Sequence, residues 1–449
     1  MACSASALTG SVIGRLFRCC FFEIIECFLV LLARLSEAFL IVNSYTVMNM
    51  RTLFLHQNFP GQFPHIAKHL AKIPGNQVIS IAQKNAKGLE AVPNVVYQPA
   101  RPITRNVHHY IAGLESAVLN GQATAKVMET LKQKGFMPDV VIGHAGWGET
   151  LYVKDVFLNA KLVNYYEFFY RATGADTDFD PEFPNTLDDV LRIRTKNSIN
   201  LLALQASDAG ISPTQWQKSL YPNEFQPQIS VIHEGINTEL AKPNPKAEFV
   251  LPNGRKLTAK DKVVTYVARN LEPYRGFHVF MHALGDICQR QPDCHVLIVG
   301  GDDISYGRKP DGGLSYREKL MQEVSFDQNR VHFLGNLPYA DFLTMLQISS
   351  AHVYLTVPFV LSWSLLEAMS TECVVIASKT SPVLEVVDGE NGLLVDFFSP
   401  SEIAAAVDDV LANKKKYVKM KKNARETVVN RYNVQKSIQQ YQHLLETLI

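Results

Sequence analysis

From residue 50 onward, short apolar runs rich in β-branched residues alternate with stretches in which apolar residues recur at helical spacing. RTLFLHQ, QVISIAQ, KVVTYVAR and CHVLIVGG are typical of the apolar runs. Such runs are apolar on both faces, which is the pattern of parallel strands that helices cover on both sides. The pattern therefore predicts the α/β fold class, with parallel sheets.

The alternation is interrupted once, at residues 241–262, which are rich in proline, lysine and asparagine and have no clear period. We predict a linker there, between doubly wound, Rossmann-like domains at residues 50–240 and 263–425. Residues 426–449 are predicted to form a C-terminal helix that can cross back to the first domain. In open α/β sheets ligands bind at the carboxyl ends of the strands, so the two domains are expected to face a cleft.

The first 49 residues are apolar but irregular, and they carry Glu23, Glu26, Arg34 and Glu37. Charges at the centre of a spanning helix cost about 2.5–3.5 kcal/mol each, which argues against a transmembrane span. The two early glutamates also interrupt a secretory signal. An amphipathic helix at a membrane surface and an extension outside the fold both remain open, and we favour the extension.

The charge balance and the cysteines indicate which partners and which cellular compartment to expect. Lysine plus arginine number 44 and aspartate plus glutamate 43, so no net field attracts nucleic acid. The seven cysteines are scattered, without a disulfide framework or zinc spacing. We expect a reducing compartment and predict a cytoplasmic protein, with peripheral contact to the cytoplasmic membrane left open.

The segment VARNLEPYRGF follows a predicted strand and precedes a helix, which places Arg269 and Arg275 at the carboxyl end of the sheet. Guanidinium groups bind phosphate oxygens in a bidentate manner, so two arginines at such a turn suit a diphosphate. The alternative is a pair of surface arginines engaged in ion pairs.

The segment LSWSLLEAMS places one acid, Glu367, about one turn inside a predicted helix that starts near Ser362 and Ser364. The amide groups of the helix N-terminus favour an anion. A carboxylate at this position can accept hydrogen bonds from two vicinal hydroxyls, as on a ribose. The alternative is a buried structural glutamate satisfied by the backbone or by a lysine.

Two loops of the first half offer further candidates. In HQNFPGQFPH, Gly61 permits close backbone approach, and the amides that follow, from Gln62 on, can hold a phosphate. In IGHAGWGE, His144 lies beside glycines at a strand end, where it is a candidate for substrate contact. A satisfied structural histidine is the alternative for His144.

These pieces together resemble the family 4 glycosyltransferases of the GT-B fold, which are retaining enzymes that use nucleotide sugars. The resemblance covers residue 50 to the end, about nine-tenths of the chain. Its most specific parts are HQNFPGQF, RNLEPYRGF, SWSLLEAM and VVDGENGLLVDF. It implies a GT-B fold of two Rossmann-like domains.

The resemblance also implies a role for each candidate. Arg269 and Arg275 would bind the donor diphosphate, Glu367 the ribose, and Gly61 would lie beside the donor phosphate. His144 would approach the transferred sugar. The sequence departs from the family at residue 359, where a phenylalanine stands in place of the usual acid that contacts the donor sugar.

We therefore predict a retaining hexosyltransferase, independent of metal and cofactor, that uses a nucleotide diphosphate sugar and a glycan, lipid or small-molecule acceptor. The DTDFD segment at residues 176–180 lies in an acidic loop and is not predicted to bind metal. A non-catalytic nucleotide-sugar-binding protein on the same scaffold is the second hypothesis, and the missing acid favours it. A nucleotide-sugar epimerase is the third, although no paired carboxylates are placed for proton transfer.

Overall fold

The computed structural model describes residues 49–449, of which residues 51–72 and 77–449 form one compact unit. The extension predicted at residues 1–49 lies outside the described residues except for its last residue. Within the described part of the chain, no helix is both long and apolar enough to cross a bilayer.

The first half of the described chain builds a sheet of seven parallel strands, in the order β3-β2-β1-β4-β5-β6-β7. The strands are β1 (Arg51–Leu55), β2 (Gln77–Ala82), β3 (Asn94–Val96), β4 (Val140–His144), β5 (Lys161–Tyr165), β6 (Ala209–Ser212) and β7 (Ile229–Val231).

The predicted linker contains an antiparallel hairpin, β8 (Glu248–Val250) and β9 (Lys256–Thr258). A second sheet of six parallel strands follows among the described residues, in the order β12-β11-β10-β13-β14-β15. Its strands are β10 (Lys262–Asn270), β11 (Cys294–Gly301), β12 (Val331–Phe333), β13 (Ala351–Tyr354), β14 (Val374–Ser378) and β15 (Leu393–Val395).

Helices connect the strands and cover the sheets. In the first half they are α1 (Pro64–Lys72), α2 (Ala112–Gln133), α3 (Val153–Val156), α4 (Leu187–Lys196), α5 (Ser198–Ala206) and α6 (Gln215–Ser219). In the second half they are α7 (Phe277–Arg290), α8 (Tyr316–Glu323), α9 (Tyr339–Ile348), α10 (Trp363–Ser370), α11 (Ser381–Leu384), α12 (Pro400–Ala412), α13 (Val418–Arg431) and α14 (Val434–Leu448). The last helix, α14, packs against α1 of the first half.

The inner strands of the second sheet are largely buried on both faces, as their apolar runs predict. Along β10, Val264 and Tyr266 pack into one core, while Val263 and Val267 pack into the core on the opposite face. Burying a side chain of this size stabilises the folded state by about 1.5–3 kcal/mol. Helices therefore flank this sheet on both sides, and its functional groups are confined to the strand ends.

The helical spacing of residues 187–206 resolves into two helices, α4 and α5, that meet at Asn197. The Asn197 side chain donates to the carbonyl of Tyr170 at 2.7 Å and accepts from the amide of Tyr170 at 3.0 Å. These two bonds fix the junction between the helices to the segment that follows β5. Apolar periodicity does not reveal such a break, because the partner is distant in sequence.

The strand order of each sheet reverses at one point, between β1 and β4 in the first sheet and between β10 and β13 in the second. The loops that leave adjacent strands at such a point diverge to opposite faces and open a crevice at the carboxyl edge. The segments predicted to carry chemistry follow these four strands.

Candidate functional site

Arg275 lies at the reversal point of the second sheet, where the loops after β10 and β13 meet. Its side chain is buried, with 7% of the residue exposed. One guanidinium nitrogen, Nη1, donates to Thr356 Oγ1 at 2.8 Å and to the carbonyl of Val360 at 2.9 Å. The next residue, Gly276, has φ +64°, and a Cβ there would lie 2.5 Å from Leu355. Only glycine lets the chain turn this close to the β13 loop.

The charge of Arg275 has no close counter-ion in the part of the chain that the structure describes. Among the described residues no carboxylate oxygen lies within 4.0 Å of its guanidinium. The guanidinium carbon instead lies 5.6 Å from the ring centre of Tyr306 and 5.9 Å from that of Phe359. A buried cation without a counter-ion is costly, and a bound anion would remove that cost. Arg269, at the other end of the same turn, is exposed.

Ser362 and Ser364 form the start of α10. Ser362 is the N-cap, and its Oγ accepts from the Ser364 amide at 3.4 Å and from the Ser364 hydroxyl at 2.9 Å. The Ser362 amide donates to the hydroxyl of Tyr354 at 2.8 Å. The two serines therefore fix where α10 begins, at the same edge of the sheet as Arg275.

Glu367 lies one turn into α10, with 8% of the residue exposed. Among the described residues its side chain has one hydrogen-bond partner, the hydroxyl of Tyr339, which donates to Oε1 at 2.8 Å. Burial raises the pKa of Glu367 above its usual range, and the bond from Tyr339 offsets only part of that shift. The second oxygen, Oε2, is available to a hydroxyl donor.

In the first sheet, the loop after β1 folds over His56. Gly61 has φ +50°, and a Cβ on it would lie 2.1 Å from the His56 ring. The next residue, Gln62, links two side chains: its Oε1 lies 2.7 Å from His56 Nε2, and its Nε2 donates to Glu167 Oε1 at 2.8 Å. Burial, aided by the nearby His144, lowers the pKa of His56 to about 3, so this ring is neutral.

His144 ends β4 and is buried, with its ring stacked on Trp147 at a centre-to-centre distance of 3.8 Å. Its Nδ1 accepts from the Gly146 amide at 3.0 Å, which leaves the proton of the neutral ring on Nε2. Nε2 lies 3.6 Å from Glu167 Oε2. Gln62 and His144 thus both lie next to the carboxylate of Glu167.

The sequence prediction missed Glu167. Burial alone would raise the pKa of its carboxyl, but His144 and the amide of Gln62 outweigh burial and lower it. Glu167 is therefore ionised, accepts a hydrogen bond from Gln62 and lies close to His144. The only signal in the sequence is its position two residues after β5, at the carboxyl edge.

Glu272 was also missed, although it stands inside the RNLEPYRGF segment. It is fully buried and accepts from three consecutive backbone amides, those of Ser305, Tyr306 and Gly307, at 3.2, 3.1 and 3.0 Å. These bonds hold the loop after β11 so that Tyr306 lies beside Arg275.

Phe359, the residue in place of the usual acid, is buried in an aromatic cluster. Its ring centre lies 4.7 Å from that of Phe168, 4.9 Å from Tyr306 and 5.5 Å from Tyr274. Phe168 follows β5 of the first sheet, so the cluster joins loops from both sheets. An aromatic ring, and not a carboxylate, therefore lies at this position beside Arg275.

Two cavities open near these residues. One, of about 640 Å³, lies between the acidic loop around Asp176 and the loops carrying Tyr274 and Tyr306. Asp176 accepts from the hydroxyl of Tyr274 at 2.9 Å, and Asp180 lies 3.0 Å from His278 Nε2, so this loop joins the second domain. The other cavity, of about 440 Å³, is lined by residues of the first half that include His144, Trp147 and Glu167.

Comparison with protein families gives two matches. Residues 74–241 match the "Glycosyl transferase family 4 group", and residues 252–427 match the "Glycosyl transferases group 1". Similar proteins include the D-inositol 3-phosphate glycosyltransferase of Corynebacterium glutamicum, 30% identical over 44% of this chain and 46% of that protein. The phosphatidyl-myo-inositol mannosyltransferase of Mycolicibacterium smegmatis is 27% identical over 50% of this chain and 63% of that protein. The chain spans about half the length of the curated relatives it matches.

Solved structures share the fold across both domains. Anabaena HepE in complex with UDP-glucose superposes with a TM-score of 0.64 at 19% identity, covering 89% of this chain and 100% of that one. The sucrose-phosphate synthase of Thermosynechococcus elongatus gives a TM-score of 0.65 at 18% identity, covering 89% and 99%. The predicted α/β architecture of two Rossmann-like domains is confirmed.

Proposed function

The chain belongs to the family 4 glycosyltransferases of the GT-B fold, and we propose that it transfers a hexose from a nucleotide diphosphate sugar to a hydroxyl group of an acceptor. The observation that carries the proposal is the buried cation of Arg275, for which the described residues supply no counter-ion. It lies at the same edge of the second sheet as α10, the helix that carries Glu367. A diphosphate supplies the missing charge, and a ribose supplies hydroxyl donors for Glu367.

Arg275 stabilises the leaving diphosphate. Its Nη1 is held by Thr356 and Val360, while Nε and Nη2 have no partner among the described residues and are free to bind phosphate oxygens. The exposed Arg269 adds a second charge from the same turn. Donors placed where negative charge develops lower the barrier to cleavage of the sugar–phosphate bond. The proposed mechanism therefore requires no metal ion or other cofactor.

The nucleoside is held by Glu367, and the amides at the start of α10, near Ser362 and Ser364, face the sugar or phosphate. Gly61 and Gln62 bring the loop after β1 towards the same phosphate. His144 contacts the transferred sugar with its Nε2–H, and its ring is held by the Gly146 amide and by Trp147. In this account the bond between the anomeric carbon and the diphosphate oxygen breaks, and the acceptor hydroxyl attacks from the same face while its proton passes to the departing diphosphate. The configuration at the anomeric carbon is therefore retained.

The experiment is a screen of nucleotide diphosphate sugars for release of nucleoside diphosphate, with and without candidate acceptors, followed by NMR of the product. We expect one donor to be consumed, slow hydrolysis without acceptor, the same anomeric configuration in donor and product, and an unchanged rate in the presence of EDTA. Donor binding without any release would instead identify a nucleotide-sugar-binding protein. An inverted product would refute the proposed stereochemistry.

A further inference from the structure

The larger of the two cavities, of about 640 Å³, is bounded by an acidic loop of the first domain and by aromatic residues of the second domain. The loop, residues 172–185, includes the DTDFD segment. The second domain contributes the rings of Tyr274 and Tyr306, whose centres lie 5.9 Å apart. Four carboxylates of the loop line the cavity: Asp176, Asp178, Asp180 and Glu182. The proposed roles of Arg275, Glu367 and His144 give this acidic lining no function.

Asp176 is a buried carboxylate of this lining, with only 5% of the residue exposed. Its Oδ2 accepts from the hydroxyl of Tyr274 at 2.9 Å, whereas Oδ1 has no hydrogen-bond partner among the described residues. In the same part of the chain no lysine or arginine nitrogen lies within 4.0 Å of it. Burial raises the pKa of Asp176, and the bond from Tyr274 offsets only part of that shift. The cavity is thus lined by a buried carboxylate with one oxygen unused.

The two guanidinium groups of the lining already have an anionic partner. Arg192 and Arg308 both contact Asp189, at 3.3 Å and 2.6 Å. The other buried acid of the loop, Asp180, lies 3.0 Å from His278 Nε2. Among the described lining residues, the charge that lacks a close partner is therefore negative.

Tyr274 combines the two features that recognise an organic ammonium group. Its hydroxyl holds one oxygen of Asp176, and its ring lines the same cavity. The face of an aromatic ring attracts a cation within about 6 Å of its centre. A neutral hydroxyl could donate to Oδ1 of Asp176, but an ammonium group supplies both the donor and the opposite charge that a buried carboxylate requires.

We propose that this cavity binds a small organic ligand that carries an ammonium group, with Asp176 as the residue that binds the ammonium. Its volume lies in the range of small-molecule sites, so it has room for a ligand as large as an amino sugar. The inference goes beyond the proposed function, because neither Arg275 nor His144 lines this cavity. Binding can therefore be measured without any nucleotide.

The test is calorimetric titration with glucosamine, galactosamine and mannosamine, each compared with its neutral hexose and with its N-acetyl derivative. Spermidine and putrescine are titrated in parallel, against diols of similar length. We expect at least one amine to bind roughly tenfold or more tightly than its uncharged counterparts, as a charge-assisted contact provides. Asp176→Asn keeps an acceptor for Tyr274 but removes the charge, so it should abolish the preference. Asp155→Asn, which removes an exposed acid outside the cavity, should leave it intact.

The inference is overturned if no amine shows the preference, or if the preference survives in Asp176→Asn. Should Asp176→Asn fail to fold, hydrogen exchange of the wild type decides, because a bound ligand slows exchange where it holds the chain. The preferred amine should slow the exchange of backbone amides in residues 172–185. Unchanged exchange there, or protection confined to the residues around His144, would refute the site.

Two further titrations exclude other roles for the same carboxylate. Magnesium chloride alone should bind wild type and Asp176→Asn equally, and magnesium binding that requires Asp176 would overturn the assignment to an amine. A nucleoside diphosphate should bind Asp176→Asn as it binds the wild type, and loss of that binding would place Asp176 in the donor site instead. Absence of nucleotide binding in the wild type would refute the proposed function, whereas absence of an amine preference alone would refute only the role of Asp176.

Discussion

The indole nitrogen of Trp363 donates a hydrogen bond to Glu234 Oε2 at 3.2 Å. Trp363 is the first residue of α10, and Glu234 lies in the loop after β7 of the first sheet. Glu234 also accepts from the hydroxyl of Tyr165, at the end of β5. The helix that carries Glu367 is thereby attached to the first domain through one buried carboxylate.

Trp363→Phe keeps an aromatic ring but removes this donor. A hydrogen bond to a charged acceptor contributes about 1.5–3 kcal/mol. Because Trp363 is partly exposed, we expect the free energy of unfolding to fall by an amount near the lower end of this range. Denaturant titration measures the loss. Unfolding free energy equal to that of the wild type would show that the contact does not hold α10.

Glu272→Gln tests the loop that positions Tyr306. Glutamine presents one acceptor oxygen and an NH₂ group that cannot accept from an amide N–H. Each buried backbone amide that loses its acceptor lowers the free energy of unfolding by about 1–3 kcal/mol. We expect a clearly lower melting temperature and weaker donor binding. Glu318→Gln is the matched control. Glu318 is an exposed capping residue of α8, so this substitution should lower the melting temperature much less. Equal effects of the two substitutions would argue against the positioning role.

Gly61→Ala tests the close approach of the β1 loop to His56. The added Cβ would lie 2.1 Å from the ring, whereas Gly254, with φ +83°, has open space around its Cβ position. Both substitutions carry the cost of a positive φ, about 1 kcal/mol, but only Gly61→Ala adds a steric clash. Thermal unfolding and donor affinity should therefore fall more in Gly61→Ala. Similar behaviour of both variants would mean that the loop can move away from His56.

The raised pKa of Glu367 gives a pH dependence with a definite sign. In the proposed donor site, ribose hydroxyls would donate to the carboxylate, so donor binding would favour the ionised form. Affinity should then fall as pH is lowered through the raised pKa, by up to about tenfold per pH unit. The contribution of Glu367 to the free energy of unfolding has the opposite pH dependence. It is present at low pH and is lost as pH rises through the pKa of the folded state. Titrating a nucleotide sugar from pH 7.5 to 5 measures the first trend.

Glu367→Gln is the control, because its affinity should be lower at neutral pH and independent of pH over this interval. A nucleotide sugar suits the experiment because its diphosphate stays ionised throughout. A pH profile that is the same in wild type and Glu367→Gln would remove Glu367 from the donor site.

The sequence predicts the sheets well because each buried strand must be apolar on both faces, as Val263 and Val264 illustrate on β10. It also places Arg275 and Glu367 at a sheet edge, since both follow recognisable strands. Glu167 and Tyr339 escape prediction because their roles depend on partners far away in sequence, at separations of 105 residues for Gln62–Glu167 and 28 for Tyr339–Glu367. The cap on α10 is local, and so it is readable from the serines alone.

The donor site itself is tested most directly by calorimetric titration of Arg275→Met with a nucleoside diphosphate and with the matching nucleoside. Arg290→Met, which removes an exposed arginine paired with Asp286, is the control. We predict that Arg275→Met remains folded, binds the diphosphate roughly ten- to a hundredfold more weakly than wild type, and binds the nucleoside unchanged, while Arg290→Met behaves as wild type. Wild-type affinity for the diphosphate in a folded Arg275→Met protein would contradict the account.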